Sequence, residues 1–192
     1  LSFLDAVDVT NLVAFLCSAD ATYRLFGAVT IGNIVSNVKL QGAVVGGGAL
    51  GPLVTVANQA DVETQRCIAY ALCNLAADPR RREDIVQEGG LPAIISMACS
   101  DDQNDQRAAM STLRGLCAIP ENRRAVMKAH VGDALTLGTR AVDVEVRSET
   151  AAVFCALSIN DDNKADLSSS AAMVTNLLEL LREKDPRCLR QA

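Results

Sequence analysis

Tryptophan is absent from this 192-residue chain, and aromatic residues make up only 3% of it, with four Phe and two Tyr. A core without large rings must be assembled from Leu, Val, Ile and the 29 Ala, and small side chains suit closely stacked helices. Histidine occurs once, at His130, with Asp133 three residues away; a lone His argues against a metal site or a His-dependent triad, and His130 reads as a turn residue. Cysteine is present, but no pair of the seven has C-x-x-C spacing, which excludes the usual zinc and dithiol motifs. No N-x-S/T acceptor occurs, and an odd cysteine count fits free thiols in a reducing compartment. The expected location is cytoplasmic, with nuclear and cytoskeleton-associated sites left open.

Positive charge is also in short supply. Eighteen Lys and Arg oppose 23 Asp and Glu, for a net charge of −5 and a pI near 4.9. That sign opposes binding by phosphate neutralisation, so nucleic acid is not an expected partner. The chain opens at Leu1 without Met, and no basic segment precedes an apolar run, so no signal peptide is expected. The longest uncharged stretch, residues 40–60, has the length of a membrane span, but Gly42, Gly46, Gly47, Gly48, Gly51 and Pro52 argue against one continuous helix. No membrane span is expected.

What the chain does contain is a period. Shifted by 41 residues, FGAVTIGNIVSN from Phe26 lies over CIAYALCNLAAD from Cys67, then AAMSTLRGLCAI from Ala108, then ETAAVFCALSIN from Glu149, without a gap. The marker column reads Asn33, Asn74, Gly115, Ala156. Two residues earlier stand Ile31, Leu72, Leu113 and Phe154; one later stand Ile34, Leu75, Leu116 and Leu157. Chance alone makes a four-residue column wholly apolar about 6% of the time at this composition, so the ordered sequence of features carries more weight. Eleven residues after the marker come Val44, Ile85, Val126 and Leu167; fifteen after, the turn column Gly48, Gly89, His130 and Ala171; twenty after, Leu53, Ile94 and Leu135, with a one-residue slip to Leu177 in the last copy. A partial preceding copy places Leu12 and Phe3 in the same columns.

Inside a unit the spacing is helical. Val9, Leu12, Val13 and Leu16, like Leu91, Ile94, Ile95 and Ala98, follow the i, i+3, i+4, i+7 pattern of an amphipathic stripe. A longer helix is predicted over residues 21–35, 62–76, 103–117 and 145–158, with Asp20, Asp61, Asp101, Asp102 and Asp143 upstream as caps. A short helix over residues 82–87 ends at Gly89–Gly90, before Pro92 opens the next. Three helices in 41 residues cannot bury their apolar faces alone and must stack.

The segments GGLPAIISMACS from Gly89 and RCIAYALCNLAA from Arg66 resemble the armadillo repeat family. The resemblance implies an all-α, right-handed α-solenoid of three-helix repeats along the whole chain: a partial repeat over 1–37, repeats over 38–78, 79–119 and 120–160, and a partial repeat over 161–192. HEAT repeats are the neighbouring alternative. The family resemblance further implies that third helices line a concave groove, where Asn33 and Asn74 hydrogen-bond the backbone of an extended peptide. The family's import adaptors carry Trp four residues before that Asn; here Val29, Tyr70, Ser111 and Ala152 stand there, which weakens a nuclear-import reading. Helical spacing adds Leu25, Arg66, Arg107 and Ser148 to the same face, with Phe26, Cys67, Ala108 and Glu149 next to them. The alternative for each Asn is to satisfy the backbone of a neighbouring repeat.

Other features read as structure. Gly46–Gly51 satisfies G-x-G-x-x-G but follows a helix, and the fingerprint works only between a strand and a helix. Asp101–Asp105 and Asp161–Asn163 lack the Gly and Glu of a calcium loop and read as turns. Arg80–Arg82 is expected to be offset by Glu83 and Asp84, the Ser168–Ser170 tract to be a loop open to phosphate, and Cys17, Cys73, Cys99 and Cys155 to fill small spaces between helices. The expectation is a scaffold or adaptor holding a protein or extended peptide of undecided charge, with no catalytic residues, metal or cofactor. The alternative is a structural segment of a long array whose contacts are neighbouring repeats of the same parent chain or a filament; starting within one repeat and stopping at Arg190–Ala192, where a third helix would begin, the chain is expected to continue in both directions.

Overall fold

Four aspartates mark where the long helices begin. In the computed structural model, which describes residues 6–182, Asp20, Asp61, Asp102 and Asp143 adopt extended backbone and turn their carboxylates onto the first free N–H groups. The acceptor distances are 2.8 Å to Thr22, 3.0 Å to Thr64, 2.8 Å to Asn104 and 2.8 Å to Glu145. Each cap of this kind stabilises its helix by about 1 kcal/mol. The third cap is Asp102, with Asp101 one residue outside it.

The helices are α1 (Ala6–Leu16), α2 (Ala21–Val35), α3 (Val38–Gly46), α4 (Leu50–Ala57), α5 (Val62–Ala76), α6 (Arg82–Gln87, entered by a 3₁₀ turn at Pro79–Arg81), α7 (Leu91–Ala98), α8 (Gln103–Cys117), α9 (Pro120–Lys128), α10 (Gly132–Thr139), α11 (Val144–Ser158), α12 (Asp161–Ser169) and α13 (Ala171–Leu181). No strand occurs among the described residues. Two helices of six to nine residues and then one of fifteen recur in that order from α3 to α11, with α2, α5, α8 and α11 as the long third helices. Phe3 and Arg190–Ala192, which entered the sequence argument, lie outside the described residues.

Two compact units divide the chain, one up to Ala93 and one from Ile94, with the cut inside α7. In the first, α2 packs along α5 and against α1, while α3 and α4 close the other side. In the second, α8 packs along α11, and α10 lies against α11 and α13. Both cores are built from the apolar columns. Ile31, Leu72, Leu113 and Phe154 are at most 1% exposed, as are Val44, Ile85, Val126, Leu53, Ile94 and Leu135. Each such side chain contributes about 1.5–3 kcal/mol by leaving water.

Short helices end where the backbone turns left-handed. Gly48 and Gly89 adopt φ of +79° and +88°, and His130 takes the same place at +60°. Gly46–Gly51 therefore joins two helices, α3 and α4, which meet at 87°, and no single described helix is long and apolar enough to cross a membrane.

The last copy departs from the sequence reading. Ala171 lies inside α13, whose cap is Ser170, so the left-handed turn is absent there. The register does not slip to Leu177: Asn176, 1% exposed, occupies the column of Leu53, Ile94 and Leu135. Its Nδ2 donates to Thr136 Oγ1 at 2.8 Å, which makes a polar side chain tolerable in a core column. Asp161 and Asp162 form the first turn of α12, not an inter-helix turn, where carboxylates favour the helix dipole.

Candidate functional site

Third helices can present a usable face only if their ends are held, and long donor side chains do this. Arg24 donates to the Ser18 and Ala19 carbonyls, Gln65 to Ala57, Gln106 to Ser100, and Arg147 to Ala141 and Val142, at 2.7–3.0 Å. These four stand at the 41-residue spacing. A second column, Gln41, Arg82 and Arg123, donates to Val35, Ala76 and Cys117 at the last turns of α2, α5 and α8, each at 2.9 Å. Helix C-termini leave carbonyls without partners, and these donors satisfy them. Apolar-column arguments miss such positions because Gln and Arg alternate in them; the shared trait is a long N–H donor.

On the α2–α5 face the structure brings together Val29 and Asn33 from α2 with Arg66, Tyr70 and Asn74 from α5. Val29 is 40% and Tyr70 47% exposed, Asn33 and Arg66 are exposed, and Asn74 is half-buried. Neither the Asn33 nor the Asn74 side-chain amide has a hydrogen-bond partner among the described residues. The two helices approach closely: a Cβ placed on Gly32 would lie 3.7 Å from the Cys67 carbonyl oxygen. An aromatic group on α1 and α2 adds Phe15 and Tyr23, not singled out from sequence, to Phe26, which was. Phe15 stacks at 5.6 Å between ring centroids with Tyr23 and, edge-on, with Phe26. All three rings are exposed, although Thr64, Asp105 and Val146 in the column of Tyr23 are buried.

The α8–α11 face is chemically different. Arg107, expected as a contact residue, donates through Nε to Asp143 at 2.9 Å and pairs with Glu145 at 3.0 Å. Arg114, not singled out from sequence, pairs with Glu149. Ser111 is half-buried, and Gly115 and Ala156 offer no amide. Ala152 is 7% exposed, so it presents no platform where the import adaptors carry Trp. Burial pushes the Asp143 carboxyl up, but the bonds from Arg107 and the Glu145 N–H outweigh it and hold it below its ordinary value. The Asp143 hydrogen bond in turn raises Arg107.

Among the described residues no group of three or more His, Cys, Asp or Glu converges to hold a metal. Beside Gly48 and Gly51 lies a cleft of about 420 Å³ walled by Asp84 and Glu88, whose charge repels a dinucleotide phosphate. Arg80 and Arg81 pair with Asp78 rather than with Glu83 and Asp84, and Arg82 turns to the Ala76 carbonyl. Ser168 and Ser169 end α12 with their hydroxyls on the Ala165 and Asp166 carbonyls, and Ser170 caps α13. The six described cysteines are free thiols; Cys17 and Cys155 are exposed and Cys73 and Cys99 half-buried, so of these only Cys117 is fully packed.

No family model and no curated protein matches the sequence. Solved structures do. A computationally designed armadillo repeat protein for modular peptide recognition is 18% identical, with a TM-score of 0.78, over 95% of this chain and 78% of that one. A designed armadillo repeat protein in complex with the peptide (KR)4 is 17% identical, with a TM-score of 0.74, over 96% and 78%. An engineered protein reaches 26% identity at a TM-score of 0.73, over 96% and 76%. The repeated three-helix order, the third-helix faces and these likenesses together establish an all-α chain with the armadillo-repeat fold.

Proposed function

We propose that this chain is a non-catalytic scaffold or adaptor that holds an extended peptide segment against the α2–α5 face. The observation that carries this reading is the pair of side-chain amides, Asn33 and Asn74, one repeat apart and without hydrogen-bond partners among the described residues. An amide offers a donor and an acceptor together, which suits the backbone of an extended chain whatever its side chains. Tyr70 and Val29 supply apolar surface beside the amides for one or two of the ligand's side chains. The designed relatives, described as built for peptide recognition and as bound to (KR)4, support the same reading.

The ion-paired α8–α11 face favours a second, structural role for that part of the chain, as a scaffold segment whose arginines are already engaged. A reducing, cytoplasmic setting belongs to the same proposal and is supported by the free thiols. The test is to select ten-residue peptides on the wild-type chain from a random phage library, then titrate the tightest by fluorescence anisotropy. Binding at least about tenfold weaker to Asn33→Ala/Asn74→Ala, with unchanged helicity, supports the proposal. Unchanged affinity refutes it.

A further inference from the structure

The spacing of the α2–α5 face depends on a residue that belongs to neither helix. Gln41, on α3, is 3% exposed. Its Nε2 donates to two carbonyl oxygens, Val35 on the last turn of α2 and Asn74 on α5, each at 2.9 Å. Only the N–H₂ end of the amide can serve two carbonyls, so its orientation is determined. The other end, Oε1, is consequently buried with no hydrogen-bond partner. A buried acceptor left in that state is destabilising, and its retention in a folded core calls for an explanation.

Capping the end of α2 does not explain it. A guanidinium does the same for Ala76 and Cys117 from the equivalent positions Arg82 and Arg123, and a guanidinium has no acceptor to orphan. Gln41 also bonds the carbonyl of Asn74, the second amide-bearing residue. Val35 follows Asn33 by two positions, so one buried amide ties the last turn of the first helix to the backbone of the second at the very residue proposed to grip peptide. An extended peptide advances about 3.3 Å per residue, and hydrogen bonds weaken within a few tenths of an ångström. Two amides that hold one strand must therefore keep a fixed separation.

We propose that Gln41 is a positioning residue for peptide binding, setting the separation of Asn33 and Asn74 through its two carbonyl bonds. The proposal rests on the peptide-binding reading above. The probe is the tightest ten-residue peptide recovered by phage selection on the wild-type chain, titrated against Gln41→Met, Asn74→Ala and the double variant, with melting followed by circular dichroism. Gln41→Met keeps the length of the side chain while removing both bonds and the orphaned acceptor. The expected result is affinity about tenfold weaker, and no additional loss of affinity when Gln41→Met is placed on Asn74→Ala, whatever the melting temperature loses with the Val35 cap.

A merely structural Gln41 predicts an affinity loss that persists in the Asn74→Ala background, and that outcome overturns the assignment. Affinity within twofold of wild type in Gln41→Met, while Asn74→Ala is impaired, overturns it as well and leaves the peptide reading intact. No effect of Asn74→Ala, or no recovered peptide, defeats the peptide reading itself. Gln41→Leu serves in the same cycle if the Met variant fails to fold.

Discussion

The α2–α5 and α8–α11 faces are built from helices of the same length, capped in the same way, yet they differ in what they leave available. The first exposes rings, a valine and two amides without hydrogen-bond partners among the described residues. The second closes its arginines onto Asp143, Glu145 and Glu149 across the two helices. Equal backbone geometry therefore does not make equal surfaces. A column facing outward becomes a binding position only where the next repeat supplies no complementary group.

The aromatic residues give the sharpest way to break the comparison. Phe154 in α11 is 1% exposed, whereas Phe26 in α2 is 54% exposed. Phe154→Ala is expected to cost about 3–5 kcal/mol in a urea titration and Phe26→Ala under about 1 kcal/mol. Similar losses for the two would mean that the exposed rings are part of a core. Next in size is the effect on ligand. Tyr70→Ala is expected to weaken the selected peptide by roughly tenfold while leaving stability within about 0.5 kcal/mol, and Ser111→Ala to change neither. A loss at Ser111 as large as at Tyr70 would erase the functional difference between the faces.

Arg107→Ala sharpens the other side. With the guanidinium 45% exposed, solvent screening keeps the stability change small. Its clearer mark is in acid. Asp143 is held below its ordinary value, so its contribution is present above the unfolded carboxyl pKa, near 4, and is lost as pH falls through the lower folded value. Removing Arg107 lets the Asp143 pKa rise and moves the acid-unfolding midpoint to higher pH. Asp61, lowered by the Thr64 backbone N–H and then by the Thr64 hydroxyl, should keep its own titration, which side-chain carbonyl NMR can follow. A shift at Asp61 instead would contradict the pairing. The smallest effect is on labelling: iodoacetamide at pH 8 should modify exposed Cys17 and Cys155, while Cys117, whose thiol burial pushes up to about 12, reacts only after unfolding. Early labelling of Cys117 would show that α8 opens.

Helix limits were readable from residues alone where the cause is local. The spans 21–35, 62–76, 103–117 and 82–87 match the structure, and the long helix expected from residue 145 begins at Val144. A cap or a left-handed turn depends on residues within four positions, so Asp61 or Gly89 announces itself. Register was harder wherever a polar residue enters a core column. Asn176 displaces the expected Leu177 because Thr136, forty residues earlier, accepts its hydrogen bond. The cysteines misled for a related reason: a shared column does not ensure shared burial, and Cys155 is exposed where packing was expected.

The period, the helix order and the apolar columns that bury are legible in the residues, because these follow from hydrophobicity at helical spacing and from caps that act within one turn. Which outward residues stay available emerges only when helices from successive repeats are packed together. Arg107 finds Asp143 thirty-six residues away, Gln41 reaches Asn74 thirty-three residues away, and the Asn33 and Asn74 amides find no hydrogen-bond partner among the described residues. Those outcomes depend on distances between helices that no local pattern encodes.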